Sequence, residues 1–151
     1  MSIEKVSFSP EGFQRLLSAL KTRFGSAGDS MVFSMAKDFG VHGSQQMLSL
    51  LNENDELVDK QSLVQMLLDS ISSFNWGRYE ITKFNLLTGE IVINIIDNPV
   101  LNCDTPNTPS CFFVKGVLSG IIKVVTEIEF KPAAQVCKIE EDVCQFKFTR
   151  C

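Results

Sequence analysis

Three of the five cysteines of this chain, Cys111, Cys137 and Cys144, lie in one stretch and are its best candidates for chemistry. Cys111 opens a predicted helix, and the other two flank a predicted hairpin turn, so the three thiols can converge in the folded chain. Structural zinc sites take four ligands in a tetrahedron, and thiolates are preferred ligands. The three cysteines are therefore candidate zinc ligands. The fourth ligand would be one of Cys103, Cys151, Glu127, Glu129, Glu140 and water.

Two other states of these thiols are compatible with the same spacing. Free cysteines are commonly buried as small apolar side chains, and Cys144 alternates with Phe146 and Phe148 on one face of the last predicted strand. Cys137 and Cys144 could instead form an oxidised pair. The odd number of cysteines does not fit a fully paired disulfide framework, and no Cys-x-x-Cys motif is present.

The remaining polar residues give no catalytic pattern. His42 is the only histidine, and we expect it in an exposed loop beside Gly43. The acidic run from Glu140 to Asp142 is expected in a solvated turn, where nothing drives the carboxyl pKa values apart. There is no Gly-x-Ser-x-Gly motif and no glycine-rich phosphate loop. We predict no catalytic residue.

Composition predicts one globular domain spanning residues 1–151, with a helical part at 1–73 and the sheet at 74–151. Hydrophobic residues make up 44% and charged residues 21% of the chain, as in globular proteins. The net charge of −4 argues against nucleic acid as a partner. No signal peptide or membrane span is recognisable. We therefore expect a cytoplasmic protein with reduced thiols.

Hydrophobic periodicity predicts four or five helices and four strands. Runs of helices and hairpins, without βαβ alternation, indicate an α+β fold. We expect N-terminal helices packed with a mainly antiparallel four-stranded sheet, and one buried helix between two hairpins. The helices are predicted from Ser9–Pro10 to Gly25, from about Asp29 to Gly40, at Ser44–Leu51, at Leu57–Ile71 and at Phe112–Val125, and the strands at Trp76–Leu86, Glu90–Ile96, Glu127–Ile139 and Val143–Thr149.

The helix at Phe112–Val125 is the most apolar element of the sequence. Its only polar side chains, Lys115, Ser119 and Lys123, are four residues apart and form one narrow stripe. A helix of this kind is buried on most sides. Its two glycines, Gly116 and Gly120, each cost about 1 kcal/mol in a helix interior. We therefore expect another element to approach this helix closely.

From Cys111 onward the chain resembles the 4-vinyl-reductase domain family, which is related to the small subunits of the Golgi trafficking tether. The similarity is carried by Cys111-Phe112-Phe113, by the glycines of the following helix, by Cys137, and by the strand Cys144-Gln145-Phe146-Lys147-Phe148. In zinc-binding members the cysteines and a glutamate are the ligands. That glutamate falls on Ala134 in this chain, and the acidic turn is about one residue shorter than in the family.

The resemblance implies a cavity for an apolar or aromatic small molecule between helices and sheet. The alternative is that the same residues simply fill the core. A homodimer or a partner protein would carry the output. Two alternative functions are a tetrapyrrole vinyl-reductase-like enzyme or enzyme accessory, for which no dinucleotide or flavin motif is present, and an assembly subunit of the tether type. Candidate cavity residues are Trp76, Tyr79, Phe84, Phe112, Phe113, Val117 and Phe146.

Overall fold

The structure is a computed structural model that describes residues 6–51, 58–101 and 107–151. Leu57 and Cys103, which belong to the predictions above, lie outside these ranges. The elements confirm the predicted α+β class. In chain order they are α1 (Pro10–Phe24), α2 (Ser26–Ser49), α3 (Lys60–Ser72), β1 (Arg78–Asn85), β2 (Glu90–Ile96), α4 (Pro109–Thr126), β3 (Phe130–Lys138), a 3₁₀ turn (Ile139–Glu141) and β4 (Val143–Arg150).

Three helices begin at side-chain caps that the sequence supplies. Ser9 Oγ accepts a hydrogen bond from the Gly12 amide, and Asp59 Oδ1 accepts one from the Ser62 amide. Thr108 caps α4 in the same way, with a proline directly after it. Caps of this type satisfy amides that have no partner within the helix, and proline suits the first turn because its missing N–H is not needed there.

The four strands form one antiparallel sheet in the order β1-β2-β4-β3. β2 is a central strand, as its apolar residues on both faces predict. Ile91, Ile93 and Ile95 of β2 are fully buried on the face that the helices cover. In the edge strand β3 the register shifts between Pro132 and Ala134, which is the irregularity predicted at the proline.

Helix α4 is buried along most of its length, as predicted. It packs against α2 on one side, and Lys115 reaches over the ring of Phe146 on the sheet. Of the predicted polar stripe, Lys115 and Ser119 are buried and Lys123 is exposed. Among the described helices, α4 is also long and apolar enough to cross a membrane by length and composition, but 67% of that window is buried. Packing therefore accounts for its apolar character.

Glycines bring the backbones of α2 and α4 into direct contact. A Cβ on Gly120 would lie 2.4 Å from the carbonyl oxygen of Lys37, and one on Gly116 would lie 2.5 Å from that of Phe33. From the other side, a Cβ on Gly40 would lie 2.4 Å from the carbonyl oxygen of Val117. The close approach predicted from the glycines of α4 is thus confirmed, and α2 is the approaching element.

The α2–α4 contact also explains why one predicted helix boundary is wrong. The sequence suggested a helix ending near Gly40 and another at Ser44–Leu51, but α2 continues without a break from Ser26 to Ser49. A glycine is unfavourable inside an isolated helix, yet here Gly40 is buried against α4. Tertiary packing therefore outweighs local propensity. His42 is exposed as expected, but it lies on this helix and not in a loop.

A carboxylate at the end of α4 adds a polar link to this contact. Glu129 accepts hydrogen bonds from Lys123 of α4 and, at 2.7 Å, from Lys37 of α2. Lys123 and then Lys37 hold the pKa of Glu129 below its usual range. The pairing joins α2, α4 and the segment entering β3.

We expect Gly120→Ala to lower the free energy of unfolding by about 1–3 kcal/mol, the usual cost of overpacking. The added methyl group would collide with the backbone of α2 at Lys37 and Val41. Gly43→Ala is the matched control, because Gly43 lies in α2 with nothing within 4 Å of the added Cβ. The control should be neutral or stabilising by up to about 1 kcal/mol. Urea unfolding measures both, and equal effects would contradict the proposed contact.

Candidate functional site

A cavity of about 720 Å³ lies between the helices and the start of the sheet. Its size is within the range of small-molecule sites, about 300–1,000 Å³. All four helices contribute to it, and so do Tyr79 of β1 and the segments that precede α1, β1 and α4. The lining residues are Val6, Phe8, Phe13, Phe39, Gly40, Gly43, Ser44, Met47, Leu67, Ser70, Ile71, Phe74, Asn75, Trp76, Tyr79, Pro99, Val100, Phe113, Val114, Val117, Leu118 and Ile121.

One wall of the cavity is a cluster of four aromatic rings. Phe113 of α4 lies edge-to-face with Phe13 of α1, with ring centroids 4.8 Å apart, and stacks with Trp76 at 5.8 Å. Phe13 and Trp76 also meet edge-to-face at 5.2 Å, and Phe39 of α2 lies 6.3 Å from Phe113. Offset and edge-to-face geometries are favourable for aromatic rings. The wall therefore presents a packed aromatic surface to the cavity.

No charged residue is among the described residues that line the cavity, and its polar side chains are Ser44, Ser70, Asn75 and Tyr79. An ionised ligand group would be buried here without a counter-charge, at a cost of several kcal/mol. His42 does not line the cavity either. The described lining therefore offers no counter-charge to an ionised group.

Tyr79 is the best-defined polar group of this lining. It is 4% exposed, and its hydroxyl accepts a hydrogen bond from Asn98 Nδ2 at 3.3 Å. The same Asn98 amide donates to the backbone carbonyl of Trp76 at 2.7 Å. Burial raises the pKa of Tyr79 above its ordinary value, an effect that the hydrogen bond from Asn98 only partly opposes. The phenol therefore stays protonated and keeps its own hydrogen to donate.

Four of the seven residues predicted to contact a ligand, Trp76, Tyr79, Phe113 and Val117, line this cavity. Whether they contact a ligand stays a prediction. The other three predicted residues, Phe84, Phe112 and Phe146, are not among its lining. Phe146 is fully buried on the sheet, while Phe84 and Phe112 are partly buried against the core.

The predicted ligand contacts did not include the residues of α1, α2 and α3 that line the cavity, among them Phe13, Phe39, Met47 and Leu67. Helical spacing marks Phe13 and Leu67 as inward-facing. It does not distinguish a residue that fills the core from one that lines a space. That distinction depends on how the helices pack, which no local pattern records.

The three predicted thiol ligands lie around the start of α4 and the β3–β4 hairpin. Cys137 and Cys144 are in contact, with their sulfur atoms 3.4 Å apart. Gln135 Nε2 lies 3.6 Å from the sulfur of Cys111 and 3.5 Å from that of Cys137. Cys111 and Cys144 are buried and Cys137 is partly exposed. The structure thus gathers the three thiols, with the Gln135 amide between Cys111 and Cys137.

The sulfurs have polar contacts with Gln135 and, at Cys111, with Thr108. The described part of the chain contains no group of three or more His, Cys, Asp or Glu side chains that could hold one. Gln135 is directed at the sulfurs as a donor, and Ala134, where the family has its glutamate, is exposed. Zinc at Cys111, Cys137 and Cys144 stays a prediction.

Lys115 is a buried charged residue that interacts electrostatically with the thiols of Cys111 and Cys137. It is 7% exposed, and its Nζ lies 5.2 Å from the ring centroid of Phe112 and 5.5 Å from that of Phe146. Its ammonium group also contacts Asn107 Oδ1 at 3.3 Å. Burial lowers the pKa of Lys115, and the nearby sulfurs of Cys111 and Cys137 partly oppose that shift. The ammonium group of Lys115 therefore lies close to two aromatic rings and interacts with the thiols.

Comparison with solved structures shows which known proteins share this fold. No protein-family model and no curated protein sequence matches the chain, but solved structures do. The phenol-responsive sensory domain of the transcription activator PoxR, crystallised with phenol, superposes with a TM-score of 0.71 at 11% identity, covering 97% of this chain and 76% of that one.

Two further structures match the predicted resemblance. A vinyl-4-reductase family protein from Methanocaldococcus jannaschii has a TM-score of 0.60 at 17% identity, over 98% of this chain and 85% of that one. Trafficking protein particle complex subunit 3 from Naegleria fowleri, covalently bound to palmitic acid, has a TM-score of 0.62 at 14% identity, over 94% and 95% of the two chains. The chain therefore has the fold that the vinyl-reductase family shares with the tether subunits.

The buried state of Tyr79 predicts an unusual alkaline titration. Tyr79 is the only tyrosine of the chain, so the ultraviolet absorbance of tyrosinate reports on it alone. Its folded-state pKa is raised, and the unfolded value is about 10. The protonated Tyr79 phenol therefore contributes its full stabilisation of the folded state below about pH 10. This stabilisation is lost as the pH rises toward the folded-state pKa.

We expect tyrosinate to form only as the protein unfolds, when absorbance and far-ultraviolet circular dichroism are followed together in an alkaline titration. Protein unfolded in urea is the control and should titrate near pH 10. A midpoint near pH 10 while the circular dichroism stays native would contradict the buried position of Tyr79.

Proposed function

We propose that this domain binds a neutral, apolar small molecule of aromatic character in the cavity between its helices. The observation that carries the proposal is a cavity of about 720 Å³ with a four-ring aromatic wall and no charged residue among its described lining. Well-packed cores leave few spaces of this size. The PoxR domain, which has the same fold, is described as phenol-responsive and was crystallised with phenol.

The rim of the cavity offers a route for such a ligand. Phe8 is 63% exposed, Phe39 67% and Phe74 48%, although all three belong to the lining. Their apolar surface is in contact with solvent in the free domain and would be partly covered by a bound ligand. Removal of apolar surface from water contributes about 25 cal/mol per Å², which favours binding. A homodimer or partner protein that reads out this event, and a cytoplasmic location, stay predictions.

Trp76 makes the proposal directly testable. It is the only tryptophan of the chain and belongs to the aromatic wall, so its fluorescence reports on the cavity. We expect saturable changes on titration with toluene and with phenol. Benzoate should bind at least about tenfold more weakly, because its carboxylate would be buried without a partner. No saturable change with either neutral probe, or benzoate binding as tightly as toluene, would contradict the proposal.

Val117→Phe is the blocking variant for this assay, since Val117 lines the cavity from α4. The larger side chain should remove binding of both neutral probes while thermal unfolding stays cooperative. Leu87→Ser is the matched control, because Leu87 is 97% exposed in the β1–β2 turn. It should bind as the parent does. Unchanged binding by the blocking variant would place the ligand elsewhere.

A second variant tests the polar end of the cavity. If the Tyr79 hydroxyl donates to the ligand, Tyr79→Phe should weaken phenol binding by about 3- to 10-fold, the usual worth of one neutral hydrogen bond. Toluene has no acceptor, so its affinity should stay within about twofold. The comparison of the two ligands separates the hydrogen bond from a change in packing. An equal loss for both would show that the hydroxyl does not contact the ligand.

A further inference from the structure

The sulfur atoms of Cys137 and Cys144 lie close enough to bond after a small movement. The two residues are direct partners in the β3–β4 register, and their sulfurs are 3.4 Å apart. A disulfide requires about 2.05 Å between the sulfurs and Cβ atoms about 3.5–4.5 Å apart. Residues directly opposite in an antiparallel pair have Cβ atoms about 4.5–5.5 Å apart. A small adjustment of the hairpin therefore suffices.

The two thiols differ in access, which suits a two-step exchange. Cys137 is partly exposed on the edge strand β3, whereas Cys144 is 3% exposed on β4. A dissolved oxidant can therefore reach Cys137 first. Cys144 is then the only thiol in direct sulfur contact with Cys137 within the described residues, because Cys111 is joined to it through the Gln135 amide.

Two polar side chains lie close to the sulfur of Cys137. The Gln135 amide donates to it at 3.5 Å, and the Lys115 ammonium interacts electrostatically with it. The thiolate is the form of cysteine that attacks disulfides.

We propose that Cys137 and Cys144 are a redox modification site, which a small disulfide such as glutathione disulfide converts reversibly into an intrachain disulfide. The Cys137 thiolate attacks one sulfur of the oxidant, forming a mixed disulfide and releasing one thiolate. The Cys144 thiolate then attacks the Cys137 sulfur and releases the second. The protein loses two electrons and two protons, and the oxidant is reduced to two thiols.

The sequence between the two cysteines makes the product simple to identify. Lys138 lies between Cys137 and Cys144, so trypsin places them in separate peptides that only a disulfide can join. Full-length protein is purified with chelator, incubated with glutathione disulfide, quenched with acid, alkylated and digested. Mass spectrometry should find the Cys137 and Cys144 peptides linked, and reduction before alkylation should separate them.

Three variants assign the steps. Cys144→Ser should accumulate a glutathione adduct on Cys137, because the second thiol is missing. Cys137→Ser should reduce the linked product to background. Cys151→Ser is the control, since Cys151 is exposed at the end of β4, and it should leave the linked pair unchanged. Circular dichroism checks that each variant is folded, and the peptide mapping of the parent chain does not depend on any of them.

Three outcomes would overturn the proposal. In the first, adducts form on Cys151 while Cys137 and Cys144 stay reduced. In the second, Cys137 links to another cysteine in folded protein. In the third, protein purified without chelator carries one zinc per chain, loses it in Cys137→Ser, and resists glutathione disulfide even after chelation. Linkage of Cys137 to Cys144 that thioredoxin or dithiothreitol reverses would support it.

Discussion

The backbone contact between α2 and α4 is the constraint on which the rest of the structure depends. Gly116 and Gly120 admit the α2 backbone to α4, and Gly40 admits α4 in return. This contact fixes two long helices at a separation that ordinary side chains would not allow. It holds Phe39 and Phe113, which project from the two helices, in the same aromatic cluster. Two of the helices that bound the cavity are therefore held in a fixed relative position. The lining of the cavity is almost entirely apolar.

Much of the fold could be predicted from the sequence, because its periods and caps act locally. The alternation of Ile91, Ile93 and Ile95 indicates a strand whichever fold contains it, and the bulge at Pro132 follows from a missing amide hydrogen. The helix break predicted after Gly40 was wrong because a glycine has two opposite effects on a helix. It weakens the isolated helix, and it permits a close contact that only the packed structure reveals.

The residues that line the cavity were harder to predict, because the lining also depends on how the elements pack. Trp76, Tyr79, Phe113 and Val117 lie at the cavity, but Phe146, with the same apolar character, fills the core beneath α4. No local pattern separates a residue that borders a space from one that fills it. The cysteines illustrate the reverse case. Their convergence could be predicted from a helix start and a hairpin, whereas the Gln135 amide between Cys111 and Cys137 depends on side-chain positions.

The proposed function requires that the packed helices hold open a cavity that accepts a neutral aromatic molecule. The most direct measurement is a crystal of the protein soaked with iodobenzene, in which anomalous scattering locates the iodine. We expect one ordered iodine site in van der Waals contact with Phe113 and Val117, with the α2–α4 contact unchanged. A cavity closed by its own side chains, with no iodine between the helices, would contradict it.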